Sequence, residues 1–242
     1  MIEQILFDLD GTLLPMDQDV FTEAYFKRLA KKLAPRGYDT RELIDGIWAG
    51  TAAMVKNDGS RTNEEAFWER FSELLGERVF RDKPLFDEYY RVEFQQVAPV
   101  CGFTPQAKET VEELKRLGYR LALATNPIFP AVATESRIRW AGLDPGDFEL
   151  YTTYENTGYC KPNPEYYRDL QRKLGCPAER CLMVGNDVEE DMVAESVGMR
   201  VFLLNGCVIN REGRDTSRFA QGGFEELRRY LEMERRKGEA YV

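Results

Sequence analysis

The sequence predicts an α/β protein with a doubly wound, Rossmann-like parallel-sheet core and an inserted α-helical bundle. Residues 16–98 show helical periodicity without a strand signal, whereas residues 99–242 alternate short apolar strands with amphipathic helices. Such alternation is typical of right-handed β-α-β units, in which helices cover both faces of a parallel sheet. One further apolar strand precedes the helical stretch and needs this sheet as its partner. We therefore expect an α/β core from residues 1–15 and 99–242, and a helical domain at residues 16–98.

The helical stretch is predicted from apolar residues at helical spacing and from capping signals. The strand before it is expected at residues 2–9 and ends at Asp10-Gly11-Thr12. Four helices should follow, at 22–33, after a cap at Thr40, from Asn63, and from Pro84.

The second stretch supplies the remaining strands and helices of the predicted core. Strands are expected at 120–124, 148–152, 181–184 and 201–204. Helices are expected at 105–118, 130–141, 163–174, 188–197 and 223–237. The polar residues 205–222 are predicted to form an irregular loop.

Composition excludes several classes of protein. The formal charge of −9 disfavours a nucleic-acid interface, which requires a concentrated basic face, and also disfavours binding to an anionic membrane surface. The five cysteines lack the spacing of a metal site, and no apolar run has the length of a signal peptide or a membrane span. We therefore expect a cytoplasmic protein with reduced cysteines and with no nucleic-acid or membrane partner.

The chain contains no histidine, and this absence restricts its chemistry. It excludes catalytic triads built on imidazole, phosphohistidine chemistry and most zinc sites. Acid/base catalysis near neutral pH must therefore depend on carboxylates, lysine, tyrosine or cysteine.

Unusual polar residues occur at the edge where the predicted strands end. They are Asp8 and Asp10 after the first strand, Thr125 and Asn126 after the second, Lys161 before a helix, and Asn186 and Asp187 after a later strand. Ligands of open parallel sheets bind outside the carboxyl ends of the strands. A hydroxyl, an amide and an ammonium are the donors that the oxygens of a transferring phosphoryl group need.

Asp8 and Asp10 are the most specific of these candidate residues. Side chains two residues apart on a strand share a face, so both carboxylates can face one ligand, and Gly11 lets the chain turn away. Two close carboxylates repel unless a proton or a cation lies between them, and Mg²⁺ prefers such hard oxygen ligands. Asp187 and Asp191, one helical turn apart, could complete a magnesium site, although acidic residues also begin helices for charge complementarity alone.

In this order, the polar residues resemble the haloacid dehalogenase-like superfamily of phosphohydrolases. Asp-Leu-Asp-Gly-Thr at 8–12 is similar to its first motif, Ala-Thr-Asn at 124–126 to its second, Lys161-Pro162 to its third, and Val-Gly-Asn-Asp…Asp at 184–191 to its fourth. The helical stretch lies where the superfamily carries its type 1 cap domain. The resemblance covers nearly the whole chain and implies a magnesium-dependent phosphatase, a phosphomonoester hydrolase acting on a small phosphorylated metabolite.

The resemblance implies a role for each matched residue. Asp8 would attack phosphorus and form an aspartyl-phosphate, and Asp10 would protonate the leaving oxygen and then activate the hydrolytic water. Thr125 and Asn126 would bind the phosphoryl group. Lys161 would offset the charge of Asp8 and of the phosphate.

The same resemblance implies Mg²⁺ as the cofactor, held by the Asp8 side chain, the backbone oxygen of Asp10 and an acidic residue of the fourth motif. The superfamily usually has an aspartate directly after the glycine, where this chain has Asn186. We favour Asp187 as the third ligand, with Asn186 and Asp191 as alternates.

Two other functions fit the same motifs. A sugar phosphomutase of the superfamily shares all four motifs and differs in how the cap treats water. A non-catalytic phospho-Asp switch would share the acidic residues, the threonine and the lysine, and a non-catalytic relative that binds a partner would fit the replacement at Asn186. Asp10 disfavours the dehalogenating members, which lack this second aspartate.

Overall fold

The computed structural model describes residues 1–239 and contains a six-stranded sheet in which all neighbouring strands are parallel. The strands are β1 (Gln4–Phe7), β2 (Arg120–Leu123), β3 (Leu150–Tyr151), β4 (Cys181–Gly185), β5 (Arg200–Leu204) and β6 (Ala220–Gly222). Their order across the sheet is β3-β2-β1-β4-β5-β6, so β1 lies between β2 and β4. The predicted doubly wound α/β core is confirmed.

The α-helices of the described chain fall into two groups. Between β1 and β2 lie α1 (Gln18–Leu33), α2 (Thr40–Val55), α3 (Asn63–Leu75), α4 (Arg78–Arg91) and α5 (Pro105–Arg116). The later helices are α6 (Ala131–Trp140), α7 (Pro164–Leu174) and α8 (Phe224–Glu239). Residues 16–98 thus hold four α-helices and no strand of the sheet. No helix within residues 1–239 has the length and apolar character needed to span a membrane.

The helices of the inserted stretch begin at side chains that accept hydrogen bonds from free backbone N–H groups. Asp17 caps α1 through the amides of residues 19 and 20, and Asp39 caps α2 in the same way. Thr62 forms a capping box with Glu65 at the start of α3. Thr40, predicted as the cap of α2, is instead its first residue, because the carboxylate of Asp39 already occupies those amides.

The structure corrects three of the predicted elements. Pro84 lies inside α4 rather than at its start, because the apolar face of this helix extends back to the buried Val79. The predicted helix at 188–197 is a short 3₁₀ helix at Met192–Val197, because side-chain bonds hold the preceding residues in a turn. The predicted loop at 205–222 includes β6, a strand too short to give a periodic signal.

The central strand β1 divides the hydrophobic core into two clusters. Ile5 and Phe7 belong to one cluster, which continues into the inserted helices and includes Phe21 and Trp68. Leu6 belongs to the other cluster, on the opposite face of the sheet. Because the side chains of β1 alternate between the two faces of the sheet, the sheet lies between two apolar layers. Polar groups are therefore expected at the ends of its strands.

Candidate active site

Three adjacent strands end with residues that the sequence identified as candidates. Asp8 follows β1, Thr125 lies two residues beyond β2, and Asn186 follows β4. The ladder hydrogen bonds continue to this edge, since the amide of Asp8 donates to the carbonyl of Val184 at 2.9 Å. Parallel pairing thus delivers the polar side chains of separate segments to one edge of the sheet.

Lys161 is the centre of this group. Its Nζ atom lies 2.9 Å from Oδ1 of Asp8 and 2.6 Å from Oδ1 of Asp191, and the lysine is almost fully buried. Burial by itself would lower the pKa of Lys161, but the carboxylates of Asp191 and Asp8 outweigh it and hold this pKa well above its ordinary value. The lysine is therefore a fixed ammonium beside Asp8.

Thr12 and Asn186 complete the surroundings of Asp8. The Thr12 hydroxyl lies 2.8 Å from Oδ1 of Asn186 and 3.2 Å from Oδ2 of Asp8, so it can donate to either oxygen. The Asn186 amide group donates to the carbonyl of Cys207 at 2.7 Å, which fixes Oδ1 on the side of Asp8 and Thr12. Gly11 is required here, because its φ is +91° and a Cβ atom would lie 2.4 Å from Nδ2 of Asn186.

The carboxylate of Asp187 is engaged by other protein groups. Its Oδ1 accepts hydrogen bonds from the amides of Glu189 and Glu190 at 2.9 Å, and its Oδ2 lies 2.8 Å from Nη1 of Arg211. Within residues 1–239, no three His, Cys, Asp or Glu side chains are grouped as a metal site. Asp187 as a metal ligand stays a prediction, and it requires that Arg211 release this oxygen.

Asp191 lies beside Lys161 and stabilises the turn that begins at Asp187. Its Oδ2 accepts a hydrogen bond from the amide of Asp187 at 2.9 Å, while its Oδ1 pairs with the lysine. Burial raises the pKa of Asp191 to about 6 against the opposing effect of the lysine. Gly185 allows this close approach, because a Cβ atom there would lie 2.0 Å from Oδ2 of Asp191.

Asp10 has a partner that the sequence analysis missed. Nη1 of Arg137, on α6, forms an ion pair with Oδ2 of Asp10, and Arg137 is almost fully buried with its guanidinium 4.5 Å from the ring centre of Phe129. Burial raises the pKa of Asp10, an effect that Arg137 partly opposes. Oδ1 of Asp10 is buried and has no hydrogen-bond partner among the described residues.

Asn126 and Glu190 form a second polar pair at the site. Nδ2 of Asn126 donates to Oε2 of Glu190 at 3.1 Å, while Oδ1 of Asn126 is buried with no partner among the described residues. Burial raises the pKa of Glu190 to about 7. Glu190 is not among the candidate residues that the sequence identifies. Its pairing depends on a segment 64 residues away, which no local pattern reports.

The site opens into a cavity of about 270 Å³ between the sheet edge and the inserted helices. Asp8, Asp10, Thr125 and Asn126 line one end of it, and residues from α1 to α4 line the rest. The arrangement presents a carboxylate beside a fixed ammonium, a second carboxylate held by an arginine, and hydrogen-bonding groups, all at the end of a cavity. These are the parts that displacement at a phosphorus or carbon centre by a covalent route needs.

A parallel sheet with this strand order, a carboxylate paired to a buried lysine at its edge and helices inserted after the first strand define an α/β protein with a polar site at the carboxyl ends of its strands. The sequence pattern of the haloacid dehalogenase-like hydrolases matches residues 2–198, and the chain belongs to this family of enzymes. The family resemblance expected from the four motifs is therefore confirmed.

Individual relatives extend over most of the chain. A glyceraldehyde 3-phosphate phosphatase of Methanothermobacter thermautotrophicus is 27% identical over 88% of this chain and 89% of its own length. A phosphoglycolate phosphatase of Colwellia psychrerythraea is 26% identical over 87% of this chain and 90% of its own. The crystal structure of a 2-haloacid dehalogenase from Pseudomonas syringae pv. Tomato superposes with a TM-score of 0.65 at 22% identity, covering 96% of this chain and 99% of that one. At this identity the superposition shows the fold alone.

Proposed function

We propose that the protein is a magnesium-dependent phosphomonoester hydrolase that acts on a small phosphorylated metabolite through an aspartyl-phosphate on Asp8. The observation that carries the proposal is the buried contact of 2.9 Å between Nζ of Lys161 and Oδ1 of Asp8, at the end of a cavity. A fixed ammonium at this place offsets charge on both the nucleophile and an incoming phosphate. Relatives named as phosphatases, aligned over most of their length, support the same reaction.

Asp8 is the nucleophile in this proposal. One carboxylate oxygen attacks phosphorus, the bond from phosphorus to the leaving oxygen breaks, and the phosphoryl group stays on Asp8. Thr125 and Asn126 lie at the end of β2, where they can bind the phosphoryl oxygens, and the side-chain N–H₂ group of Asn126, which donates to Glu190 in this structure, would donate to them instead.

Asp10 is the acid and then the base. Burial raises its pKa, which favours the protonated form needed to donate to the leaving oxygen. After the leaving group departs, the ionised Asp10 accepts a proton from water, the water oxygen attacks phosphorus, and inorganic phosphate leaves Asp8. Arg137 holds Oδ2 of Asp10, so that the unpartnered Oδ1 is the oxygen that exchanges the proton.

The residues around Asp8 fit a Mg²⁺ ion with an amide as the third protein ligand. Oδ2 of Asp8 and Oδ1 of Asn186 lie on either side of one hydroxyl, that of Thr12, and both are hard oxygen donors. We propose that the ligands are Asp8, the backbone oxygen of Asp10 and Asn186, rather than Asp187. When bound, the ion would neutralise charge on the phosphoryl oxygens.

The test is phosphate release from p-nitrophenyl phosphate. We expect release with MgCl₂, none with EDTA, and a covalent phosphoryl label in acid-quenched wild-type protein. Asp8→Asn should lose at least about 10³-fold in kcat and should not be labelled, because its amide cannot attack phosphorus. The matched control is Asp45→Asn, since this aspartate lies exposed on α2 and its loss should leave kcat unchanged.

Two results would contradict the proposal. Phosphate release that persists in Asp8→Asn would assign the nucleophile elsewhere. Conversion of a sugar phosphate to its isomer, with no net phosphate release from any ester, would instead assign the protein to the phosphomutases.

A further inference from the structure

The cavity beyond Asp8 is walled mainly by aromatic side chains. Its lining from the inserted helices includes Phe21, Tyr25, Phe67, Trp68, Phe86 and Tyr90. At about 270 Å³ the space is large enough for a ring-sized group in addition to a phosphate. The side chains that line this cavity therefore determine which leaving group the substrate can carry.

The polar ends of these rings are bonded to one another. The hydroxyls of Tyr25 and Tyr90 lie 2.8 Å apart, and Nε1 of Trp68 donates to the hydroxyl of Tyr154 at 3.5 Å. Trp68 also packs edge-to-face on Phe86, with ring centres 5.4 Å apart. Because Tyr25 and Tyr90 share one hydrogen bond and the indole N–H of Trp68 already has an acceptor, most of what remains for a ligand is ring surface, which favours apolar contacts.

Acidic side chains are the only charged groups that line the cavity. Among the described residues that line it are Asp8, Asp10, Asp87, Asp187, Glu190 and Asp191, whereas none is a lysine or an arginine. Asp87 comes from α4, so negative charge is present on the side of the inserted helices as well. The nearby Lys161 and Arg137 are buried in ion pairs with Asp8 and Asp10. A second anionic group on the substrate would therefore lose water and find no counter-ion.

We propose, on the basis of the phosphatase function argued above, that the leaving group is uncharged and largely apolar, of the size of a benzyl or phenylethyl alcohol. A carboxylate or a second phosphate at this position is excluded by the acidic lining. This substrate class differs from the phosphoglycolate named for one relative, whose leaving group carries a carboxylate.

The first experiment compares kcat/KM for benzyl phosphate, 4-carboxybenzyl phosphate, phosphoglycolate and choline phosphate. The first two share the same bond from phosphorus through oxygen to a benzylic carbon, so their intrinsic reactivities are matched and only the added charge differs. We expect benzyl phosphate to exceed each of the other three by at least about tenfold, which is 1.4 kcal/mol in binding of the transition state.

A second experiment measures binding without turnover. Calorimetric titration of Asp8→Asn with benzyl phosphate and with 4-carboxybenzyl phosphate, both with Mg²⁺ present, should show at least about tenfold tighter binding of the uncharged ester. This measurement distinguishes a failure of the proposed function from a failure of the cavity assignment. If no ester releases phosphate but the binding preference holds, the proposed function is wrong and the cavity assignment stands.

Paired variants test the cavity wall itself. Trp48 lines the cavity but is 52% exposed, so Trp48→Ala should fold and should lower kcat/KM for benzyl phosphate several-fold. Phe103→Ala is the control, since Phe103 is 62% exposed and lies outside the cavity lining. Thr51→Lys adds a cation to the lining and should raise kcat/KM for 4-carboxybenzyl phosphate, whereas Ala52→Lys, at the exposed neighbouring position, should not.

Three outcomes would overturn the proposal. Phosphoglycolate or 4-carboxybenzyl phosphate could equal or exceed benzyl phosphate in both kcat/KM and affinity. Choline phosphate could be preferred, which would make the aromatic wall a site for a cation. The two lysine variants could change selectivity equally, which would mean that the cavity does not contact the leaving group.

Discussion

The superfamily usually has one aspartate directly after the glycine that ends β4, whereas here Asn186 and Asp187 follow it and make different contacts. Asn186 directs its Oδ1 toward Thr12 and Asp8, whereas Asp187 caps the following turn and pairs with Arg211. An amide oxygen would bind Mg²⁺ with a dipole rather than a full charge, so Asn186 as a ligand would give a lower cation affinity than an aspartate. In exchange, the Asn186 amide hydrogen-bonds the carbonyl of Cys207, which a carboxylate could not do.

Asn186→Asp should therefore strengthen Mg²⁺ binding and weaken the metal-free fold. We expect the Mg²⁺ concentration for half-maximal activity to fall by roughly tenfold, because a full negative charge replaces a dipole. Without Mg²⁺, the free energy of unfolding should fall by about 1–2 kcal/mol, because two oxygens then face each other at Cys207. Activity titrations and urea unfolding measure the two effects.

Asp187→Asn is the matched comparison for this prediction. It keeps an oxygen for the amides of the turn, and it should change the half-saturating Mg²⁺ concentration by less than about threefold. If Asp187→Asn instead raises the Mg²⁺ requirement strongly while Asn186→Asp leaves it unchanged, Asp187 is the ligand.

Arg137 pairs with Asp10, and we predict that it acts through Asp10 as a positioning residue. Arg137→Met should lower kcat by about 10- to 100-fold, since general acid/base catalysis depends on the placement of the proton donor. KM for p-nitrophenyl phosphate should stay within about threefold, because Arg137 does not line the cavity. Arg137→Lys should recover part of the lost kcat, because it restores the charge beside Asp10. A raised KM with unchanged kcat would show that Arg137 binds substrate instead. Circular dichroism would establish that both variants fold.

At the scale of elements, the strands of the core were predictable where the chain gives a continuous apolar run. β1, β2, β4 and β5 are such runs, and each is buried along nearly its whole length. β3, two residues long, lies within the strand predicted at 148–152. β6, three residues long, lies in the predicted loop, because its pairing depends on β5 and not on its own pattern. The turn before Met192–Val197 is set by side-chain bonds of Asp187 and Asp191, which helical periodicity does not detect.

Some residues of the candidate site could likewise be predicted from the sequence, and others could not. Asp8, Asn126, Lys161 and Asn186 could be predicted because the edge of a parallel sheet collects whatever follows its strands. Arg137 and Glu190 could not, since each becomes significant only through a partner far away in the chain. The cavity wall was also unpredictable, because aromatic residues at helical spacing look alike whether they face a core or a ligand.

The start of α3 connects the inserted helices to the site. The side-chain amide of Asn63, a fully buried residue, donates to the carbonyl of Pro127, directly after Asn126, and approaches Sγ of Cys160, directly before Lys161. Its Oδ1 accepts a hydrogen bond from Asn57 at 2.9 Å. One side chain thus ties a helix of the insertion to two of the predicted phosphate-binding segments.

Asn63→Ala should lower the free energy of unfolding by about 2–3 kcal/mol, because it leaves buried donors and acceptors without partners. The same variant should lower kcat/KM for p-nitrophenyl phosphate, since the segments at Asn126 and Lys161 lose their support. Urea unfolding followed by tryptophan fluorescence measures the first effect. Asn205→Ala, at an exposed position, is the control and should change stability by less than about 0.5 kcal/mol. Equal stabilities of the two variants would contradict the connecting role of Asn63.

At the scale of the whole molecule, the sheet and the inserted helices share one hydrophobic cluster, which runs from Phe7 in β1 to Trp68 in α3. Tyrosines contribute to both faces of the core, and several are buried: Tyr25, Tyr89, Tyr154, Tyr166 and Tyr167. Each of them brings a titratable hydroxyl into an environment that disfavours its charged form. The stability of the whole fold should therefore respond to alkaline pH.

Burial raises the pKa of Tyr25 from 10.0 to about 12, and burial raises the pKa of the other four tyrosines as well. A folded-state pKa above that of the unfolded chain gives a stabilisation that is complete below pH 10 and is lost as the pH rises through the folded pKa.

For Tyr25 alone, the full loss of this stabilisation is of the order of 3 kcal/mol. We expect these buried tyrosines to ionise, as followed by absorbance at 295 nm, only above pH 10 and together with loss of circular dichroism. Tyr25→Phe should be about 1 kcal/mol less stable at pH 8, having lost the hydrogen bond to Tyr90, but its stability should fall less steeply above pH 10. Reversible ionisation of all the tyrosines near pH 10 with an unchanged spectrum would mean that these hydroxyls reach solvent in the native state.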